Sequence, residues 1–285
     1  MVINAAQILM SRCDELALPA DNSIIKTDLV DRRLLWFPTG NVLYCPMEYA
    51  SSDFLLYHFH KREGVNTNVL TNKTTSNLIS LAKVYNPIPM DKEELDTITY
   101  GSHKLLIVMD PFVRLINAYF NTLSHAKANV PELHKFYKKH GSNSFKYFIQ
   151  YVLEHEDEDC NWHWCPISLQ CHVCDVQFNL VIKDERLESL LGYLGTLVNS
   201  QFSDDFSLTP QIKPSVVRSL MDTLTSKQKH QLYKMYNTDF ILFDYSILKY
   251  VDEELAKKIL DDDYDNEYND YYDTNPEEDD EEGLL

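Results

Sequence analysis

The chain has 285 residues, of which 44% are hydrophobic and 12% aromatic, enough for one large domain with a substantial core. Its formal net charge is −18, but residues 261–285 contain thirteen Asp or Glu and no Lys or Arg, so the remaining body carries only about −5. The body lacks a general basic surface, which excludes nucleic acid as the partner. No apolar run approaches the ~20 residues that span a bilayer, and the first residues lack the pattern of a signal peptide, so we expect a soluble chain without a membrane span.

The N-terminal part predicts a helix, a strand and a second helix. Residues 5–16 have the apolar spacing of a helix. Residues 42–47 are predicted to form a strand that leads into a helix from about Ser51 to His60. Ser51 and Ser52 precede that helix, and serine is a typical N-cap residue.

The central stretch, residues 104–123, predicts a buried strand that runs directly into an amphipathic helix. Residues 105–109 form an unbroken apolar run, as expected where both faces of a parallel strand are covered. Asp110 can cap the following helix, and Pro111 suits its first position. The predicted buried face consists of Phe112, Leu115, Ile116, Tyr119, Phe120 and Leu123. Such a junction directs unpaired backbone N–H groups and the positive end of a helix dipole at one point, which favours anion binding.

The C-terminal half predicts three helices and one more strand. Residues 145–153 and 186–194 have helical spacing, the latter ending at Gly195, and residues 178–182 read as a buried strand. Thr225 and Gln228 form a capping box for a helix through Tyr236. The aromatic residues expected to pack against the sheet are Tyr233, Tyr236, Phe240, Phe243 and Tyr245. The pattern therefore predicts an α/β fold with a mainly parallel sheet.

Six cysteines allow three interpretations. They lie at positions 13, 45, 160, 165, 171 and 174. Cys171 and Cys174 have the spacing of half a zinc site, but a second ligand pair at metal spacing is not evident, and we predict no metal. A disulfide framework fits the even count, and reduced core thiols fit a cytosolic protein.

Several segments resemble the Golgi carbohydrate sulfotransferases of the chondroitin 4-O-sulfotransferase and HNK-1 sulfotransferase type. Residues 109–119 are similar to that family's segment R-[DE]-P-F-x-R-L-x-S-A-Y. Tyr44-Cys45 and residues 231–246 also match, as does Asn161-Trp162-His163-Trp164 with the cysteine pair six residues later. The resemblance implies a P-loop-like sulfotransferase fold over residues 1–260. The acidic composition predicts a disordered tail at 261–285.

The resemblance also implies a donor, 3′-phosphoadenosine 5′-phosphosulfate (PAPS). The positions it assigns to donor binding are Tyr49, Ser51, Ser52, Met109, Asp110, Arg114 and Asn117. Three of them differ from the family pattern, which has Lys for Tyr49, Arg for Met109 and Ser for Asn117. A charged donor of that kind is typically worth ~3 kcal/mol or more of barrier. Glu48 and Asp53, nearby in sequence, would repel a ligand with several negative charges.

The same resemblance points to His163 as the catalytic residue. An imidazole titrates near the working pH and can take the proton of an acceptor hydroxyl as it attacks sulfur. Trp162 and Trp164 offer flat faces for a sugar ring. The alternative is a hydrogen-bonded structural histidine among aromatic residues.

Two functions follow from these residues. The first is transfer of sulfate from PAPS to a hydroxyl of a glycan, for which the resemblance implies a chondroitin-like acceptor. The second is a catalytically inactive relative that binds a glycan or a protein. The resemblance implies the Golgi lumen, with the cytoplasm as the alternative, and the pattern specifies no oligomeric state.

Overall fold

A four-stranded sheet lies at the centre of the described part of the computed structural model, which comprises residues 2–16, 33–71, 73–88, 91–155, 161–202, 208 and 211–260. The strands are β1 (Leu35–Phe37), β2 (Val42–Cys45), β3 (His103–Val108) and β4 (Leu180–Lys183), and they lie in that order in the sheet. β1 pairs antiparallel with β2, whereas β2–β3 and β3–β4 are parallel. The mainly parallel α/β fold is therefore confirmed; β1 was not predicted.

Helices surround this sheet. In chain order they are α1 (Val2–Glu15), α2 (Ser52–Arg62), α3 (Thr67–Leu70), α4 (Thr75–Tyr85), α5 (Lys92–Gly101), α6 (Pro111–Asn129), α7 (Pro131–His140), α8 (Phe145–Glu154), α9 (Ile167–Gln170), α10 (Val173–Val176), α11 (Asp184–Leu197), α12 (Pro214–Met221), α13 (Ser226–Leu242) and α14 (Glu253–Leu260). Short 3-10 helices cover Pro38–Gly40 and Ile247–Lys249. Within the described ranges, no helix combines the length and apolarity needed to cross a membrane.

Disulfides connect the sheet and α1 to the segment around α9 and α10. Cys45, at the end of β2, is bonded to Cys171, and Cys13 of α1 is bonded to Cys174. Cys165 is disulfide-bonded as well. The zinc interpretation is wrong because Cys171 and Cys174 belong to two different disulfides. In an oxidising compartment such long-range bonds stabilise the fold mainly by restricting the unfolded chain.

The central helix α6 begins as its sequence predicts. It starts at Pro111, and the Asp110 carboxylate accepts the backbone N–H of Phe112 at 3.2 Å, so Asp110 is its cap. Most of the predicted apolar face is buried, but Phe120 is 42% exposed. Phe120 therefore lies at the edge of the face, which continues through Thr122 and Leu123.

The aromatic residues of α13 pack on α6, so our expectation that they pack on the sheet needs correction, whereas Phe243, beyond the helix, belongs to the core cluster that contains the strands, as expected. The Phe112 ring lies 5.0 Å from the Phe240 ring and 6.2 Å from the Tyr236 ring, centroid to centroid. The capping box of Thr225 and Gln228 is confirmed, and the helix continues to Leu242, beyond the predicted end.

Gly195 does not terminate α11, contrary to the sequence prediction, because the helix continues to Leu197. A Cβ at this position would come within 2.6 Å of the Ser200 carbonyl oxygen. The glycine therefore permits the returning chain to approach the helix closely.

Candidate functional site

The two strand–turn–helix units meet at one edge of the sheet. β2 and β3 are parallel neighbours, so their carboxyl ends, and the turns that follow, lie side by side. Arg114 Nε on α6 donates to the carbonyl oxygen of Glu48 at 3.3 Å, and Asn117 Nδ2 approaches that of Tyr49 at 3.4 Å. The turns that carry Tyr49 and Asp110 therefore lie at one shared rim of the sheet.

The turn after β2 adopts a demanding backbone conformation. Tyr49 and Ser51 have φ values of 67° and 45°, in the left-handed region that non-glycine residues rarely adopt. Such residues cost of order 1 kcal/mol or more each and persist only where the surroundings fix them.

The two serines of this turn do not cap α2 with their side chains as we expected. Ser51 occupies the N-cap position without a capping side-chain bond, and its hydroxyl bonds Asp184. The Ser52 hydroxyl bonds the Tyr44 hydroxyl at 2.6 Å and accepts the backbone N–H of Met47 at 2.8 Å. Both side chains thus hold the turn against the sheet.

The turn after β3 is already hydrogen-bonded within the protein. The backbone N–H of Asp110 donates to Glu185 at 3.2 Å, and Lys249 Nζ lies 3.3 Å from the Asp110 carboxylate. Tyr245 donates its hydroxyl to the other oxygen of Glu185 at 3.0 Å. The carboxylate of Glu185 therefore accepts the Asp110 N–H, the backbone group that the sequence pattern predicts to bind an anion.

Arg114 is buried, with 1% of its surface exposed, and it binds backbone carbonyls. Besides Glu48, its guanidinium donates to the carbonyl oxygens of Cys165 at 2.6 Å and Trp162 at 3.2 Å. Burial lowers its pKa, while the nearby Asp239 carboxylate favours the charged form. Its planar fork joins the turn after β2 to the segment that carries His163.

Met109 and Asn117 contact each other. Asn117 Nδ2 lies 3.4 Å from the Met109 sulfur, and Met109 is 1% exposed. At the two positions where the family pattern has Arg and Ser, the structure therefore contains a neutral contact.

His163 lies over the first turn, where it contacts the Glu48 carboxylate and the Tyr49 hydroxyl. His163 Nδ1 lies 3.0 Å from Glu48 Oε2 and 2.8 Å from the Tyr49 hydroxyl. Ser76 donates its hydroxyl to Glu48 Oε1 at 3.0 Å. Desolvation, followed by the charge of Glu48, raises the pKa of Tyr49 above its ordinary value, so the phenol is neutral.

These contacts assign the tautomer of His163. A carboxylate only accepts hydrogen bonds, so the proton of the neutral ring lies on Nδ1, facing Glu48. Every hydrogen bond that the described structure gives this ring involves Nδ1. Nε2 is consequently the basic nitrogen, and it belongs to a side chain that lines the cleft.

Buried groups on α13 hold the segment that carries His163. Asp239 accepts the backbone N–H groups of Ile167 and Ser168 at 2.7 and 2.8 Å, at the start of α9. The Tyr236 hydroxyl donates to the carbonyl oxygen of Trp164. With Arg114 on the other side, His163 is held on a well-supported backbone.

A cleft of about 420 Å³ opens beside His163. It is lined by Glu48, Tyr49, Asp53, Thr74, Thr75, Ser76, Asn121, Trp162 and His163. The described lining thus contains two carboxylates, one tryptophan and several hydroxyl or amide groups, with no Lys or Arg. This composition is typical of a site for a polar, hydroxyl-rich ligand.

Negative charge extends along this edge of the sheet. Burial raises the pKa of the Asp184 carboxyl to about 6, and the nearby charges of Glu185 and Asp53 contribute to the shift. Gln211 and Ser51 hydrogen bonds act in the opposite direction. Asp53 and Asp184 therefore lie close enough for their charges to oppose each other.

The side chains at the predicted donor positions offer PAPS little positive charge, because Tyr49, Met109 and Asn117 are neutral and Arg114 binds backbone carbonyls. The sulfate and two phosphate groups of PAPS need cations or open backbone amides. Here Arg114 binds backbone carbonyls, the Asp110 amide donates to Glu185, and the nearest described cleft residues include Glu48 and Asp53. The residues predicted to bind the donor therefore lie close together, but their polar groups bind other groups of the protein.

Sequence reasoning missed the partners of these residues. Glu48 was recognised only as a charge that repels a phosphosulfate, and its contact with His163 joins positions 115 apart in the chain. Ser76, Asp184 and Glu185 were not singled out. No local spacing could have identified them, because each reaches the site through the topology of the sheet.

The site lies at one rim of the sheet, where two parallel strands are each followed by a tight turn and a helix, and a histidine lies over the first turn. This arrangement defines a sulfotransferase-type α/β protein. The model described as "Sulfotransferase family" matches residues 36–246, and the chain belongs to this family. The resemblance to carbohydrate sulfotransferases is thereby confirmed.

Several carbohydrate sulfotransferases are similar to the chain. Carbohydrate sulfotransferase 11 of Danio rerio is 27% identical over 169 residues, which cover 52% of this chain and 48% of that protein. Carbohydrate sulfotransferase 12 of Mus musculus is 32% identical, covering 50% and 40%, and carbohydrate sulfotransferase 9 of Homo sapiens is 27% identical, covering 50% and 37%. The chain thus spans about half the length or less of these relatives. No solved structure matches it.

Proposed function

We propose that this protein is a glycan-binding member of the carbohydrate sulfotransferases that does not use PAPS effectively. The observation that carries the proposal is the charge of the site: the described cleft residues include Glu48 and Asp53 and neither Lys nor Arg. Trp162 and the hydroxyl groups of the cleft supply the stacking face and hydrogen-bonding groups that sugars need. We further propose a location in the Golgi lumen, supported by the disulfides of Cys13, Cys45 and Cys165.

Calorimetry with 3′-phosphoadenosine 5′-phosphate tests the donor half of this proposal. We expect no heat of binding for the unmodified chain up to millimolar ligand, because the described lining of the cleft includes Glu48 and Asp53 and neither Lys nor Arg. Micromolar binding by the unmodified chain would overturn the proposal.

A single substitution tests whether the missing positive charge is what prevents nucleotide binding. Tyr49→Lys restores the cation of the family pattern and should improve binding of the same nucleotide by roughly tenfold or more, since charge-assisted hydrogen bonds are worth about 1.5–3 kcal/mol. Tyr100→Lys is the matched control because Tyr100 lies on α5, is 80% exposed and does not line the cleft. Equal binding by the two variants would mean that the missing charge is not what prevents donor binding. Near-ultraviolet circular dichroism shows whether both variants are folded.

The geometry of His163 favours a second candidate function, sulfate transfer to a glycan hydroxyl. Glu48 orients the ring through Nδ1, which leaves Nε2 to accept the hydroxyl proton as the acceptor oxygen attacks the sulfur of PAPS. The bond from sulfur to the 5′-phosphate oxygen breaks, and 3′-phosphoadenosine 5′-phosphate leaves. A sulfate-transfer assay with PAPS and a mixture of glycan acceptors tests this candidate. Activity that falls by about 10²–10⁴ in His163→Gln would support it, whereas no transfer by the unmodified chain favours the glycan-binding proposal.

A further inference from the structure

Two disulfides of the structure meet on one short segment. Cys171 is bonded to Cys45 and Cys174 is bonded to Cys13, and only His172 and Val173 separate Cys171 from Cys174. Two cysteines with two residues between them have the spacing of protein thiols that exchange disulfides. The segment therefore carries such a pair, with each member bonded to a different part of the chain.

The two bonds differ in their access to solvent. Cys45 and Cys171 are fully buried, whereas Cys174 is half-buried and the adjacent His172 is exposed. Disulfide exchange requires a thiolate to reach one of the bonded sulfur atoms. A thiol in solution therefore reaches the bond of Cys174 before it reaches the bond of Cys171.

Opening the Cys13–Cys174 bond leaves α1 attached to the domain. The Arg12 guanidinium donates to the carbonyl oxygen of Ile241 at 2.6 Å, and Leu9, on the same helix, is buried in the core. Reduction of this bond is therefore a local event, after which Cys174 carries a thiol beside an intact disulfide.

The second bond joins the two parts of the candidate site. Cys45 ends β2, three residues before Glu48, and Cys171 lies eight residues after His163. Met47, in the same turn as Glu48, has its sulfur 3.4 Å from Cys171 Sγ. The bond thus fastens the turn that carries Glu48 to the segment that carries His163, the two residues whose contact fixes the tautomer of the imidazole.

We propose that Cys171-His172-Val173-Cys174 is a disulfide-exchange site, through which a thiol reductant changes the geometry of His163. Two molecules of a thiol such as glutathione reduce the Cys13–Cys174 bond to two thiols and are oxidised to one disulfide. The Cys174 thiolate then attacks Cys171 Sγ, the bond from Cys171 to Cys45 breaks, and Cys45 leaves as a thiolate that takes up the proton that Cys174 released. The product has a Cys171–Cys174 disulfide and free thiols at Cys13 and Cys45.

Titration of the unmodified, folded chain with glutathione tests this sequence of steps. Samples are quenched with acid, alkylated and mapped by mass spectrometry of their peptides. We expect the first two alkylated cysteines to be Cys13 and Cys45, with Cys171 bonded to Cys174. Alkylation of Cys13 and Cys174 instead would overturn the proposal, because it would mean that reduction stops at the first bond.

Two variants provide a matched pair, Cys13→Ser and Cys174→Ser. Each removes the same disulfide, but only Cys13→Ser leaves a thiol on the segment next to Cys171. Without added reductant, we expect roughly tenfold more alkylated Cys45 in Cys13→Ser than in Cys174→Ser, because exchange needs a thiolate that reaches the disulfide. Equal alkylation of Cys45 in the two variants would contradict the proposal, and near-ultraviolet circular dichroism verifies that both are folded.

The nitrogen chemical shifts of the His163 ring test the effect on the site. Once Cys45 is released, we expect Glu48 to lose part of its contact with Nδ1 and the Nε2–H tautomer to become populated. Unchanged shifts in a chain whose exchanged bond has been mapped would overturn the coupling between this segment and His163. The tests of nucleotide binding and sulfate transfer use the fully oxidised chain, so this inference and the proposed function fail separately.

Discussion

The two sides of the site differ in what their polar groups bind. On the side of His163, Arg114, Tyr236 and Asp239 hold the backbone from Trp162 to Ser168. On the side of the two turns, Tyr49, Asn117 and the Asp110 amide bind side chains or carbonyls of the chain itself. The first arrangement presents a histidine to the cleft, whereas in the second the side chains at the predicted donor positions are bound within the chain.

The difference shows that a fold can retain its architecture while the chemistry of one half of its site changes. Arg114 belongs to the family pattern and serves the backbone, so its loss would damage the fold. The residues that the family pattern places at positions 49 and 109 would bind the donor. In this chain, Tyr49 and Met109 instead contact other residues of the protein, His163 and Asn117. Four substitutions test this distinction.

Arg114→Met should have the largest effect. It leaves three buried carbonyl oxygens, of Glu48, Trp162 and Cys165, without their donor, and it leaves Asp239 without its nearby cation. Breaking such a buried network typically lowers the free energy of unfolding by about 3–5 kcal/mol, which urea denaturation measures.

Arg218→Met is the control, because Arg218 is exposed on α12. Surface substitutions usually change stability by no more than about 0.5 kcal/mol. A similarly small change for Arg114→Met would contradict the structural role assigned to this guanidinium.

Asp184→Asn tests the negative charge of the sheet edge through its pH dependence. The native pKa of about 6 lies above the unfolded value, so the native state binds more protons between these values and its stability falls as pH rises through that window. Relative to the unmodified chain, the variant should therefore gain stability across this range, by about 2–3 kcal/mol at most near neutral pH.

Urea denaturation of both proteins at a series of pH values measures this difference. Asp222→Asn, on the exposed C-cap of α12, should show no comparable gain. A stability difference between Asp184→Asn and the unmodified chain that does not change with pH would contradict the raised pKa.

The sequence predicts elements whose signals are local. The run from Leu105 to Met109, the cap at Asp110 and the capping box at Thr225 lie in continuous segments, and each is present in the structure. The two turns lie at one rim because β2 and β3 are parallel neighbours, which agrees with the predicted, mainly parallel sheet.

Features that depend on contacts between distant segments escape such reasoning. Ser51 and Ser52 have the composition of caps, but their hydroxyl groups find Asp184 and Tyr44 instead. The pairing of Cys13 with Cys174 spans 161 positions, and nothing in its spacing distinguishes it from other pairings. The assignments of donor and catalytic residues remain predictions.

Ser52→Ala should have an intermediate effect. Its hydroxyl joins the Tyr44 side chain to the Met47 amide, and both groups are buried at the start of the turn. Removing it leaves one buried N–H and one phenol without this partner, so we expect stability to fall by about 1–3 kcal/mol. Ser80→Ala on the exposed surface of α4 is the control, and an equal effect of the two changes would show that the turn does not depend on this hydroxyl.

Tyr49→Phe should have the smallest effect on stability and the most specific effect on the site. The phenol makes one hydrogen bond, to His163 Nδ1, so its loss should cost only about 0.5–1.5 kcal/mol, with the turn itself unchanged. His163 keeps its bond to Glu48 through Nδ1, so nitrogen chemical shifts of the ring should still report the Nδ1–H tautomer. In Glu48→Gln, by contrast, the carboxylate that fixes this tautomer is gone, and the Nε2–H form should become populated. If Tyr49→Phe changes the tautomer and Glu48→Gln does not, Tyr49 rather than Glu48 orients His163. The residue that replaces the lysine of the family pattern would then position the imidazole that acts as the base.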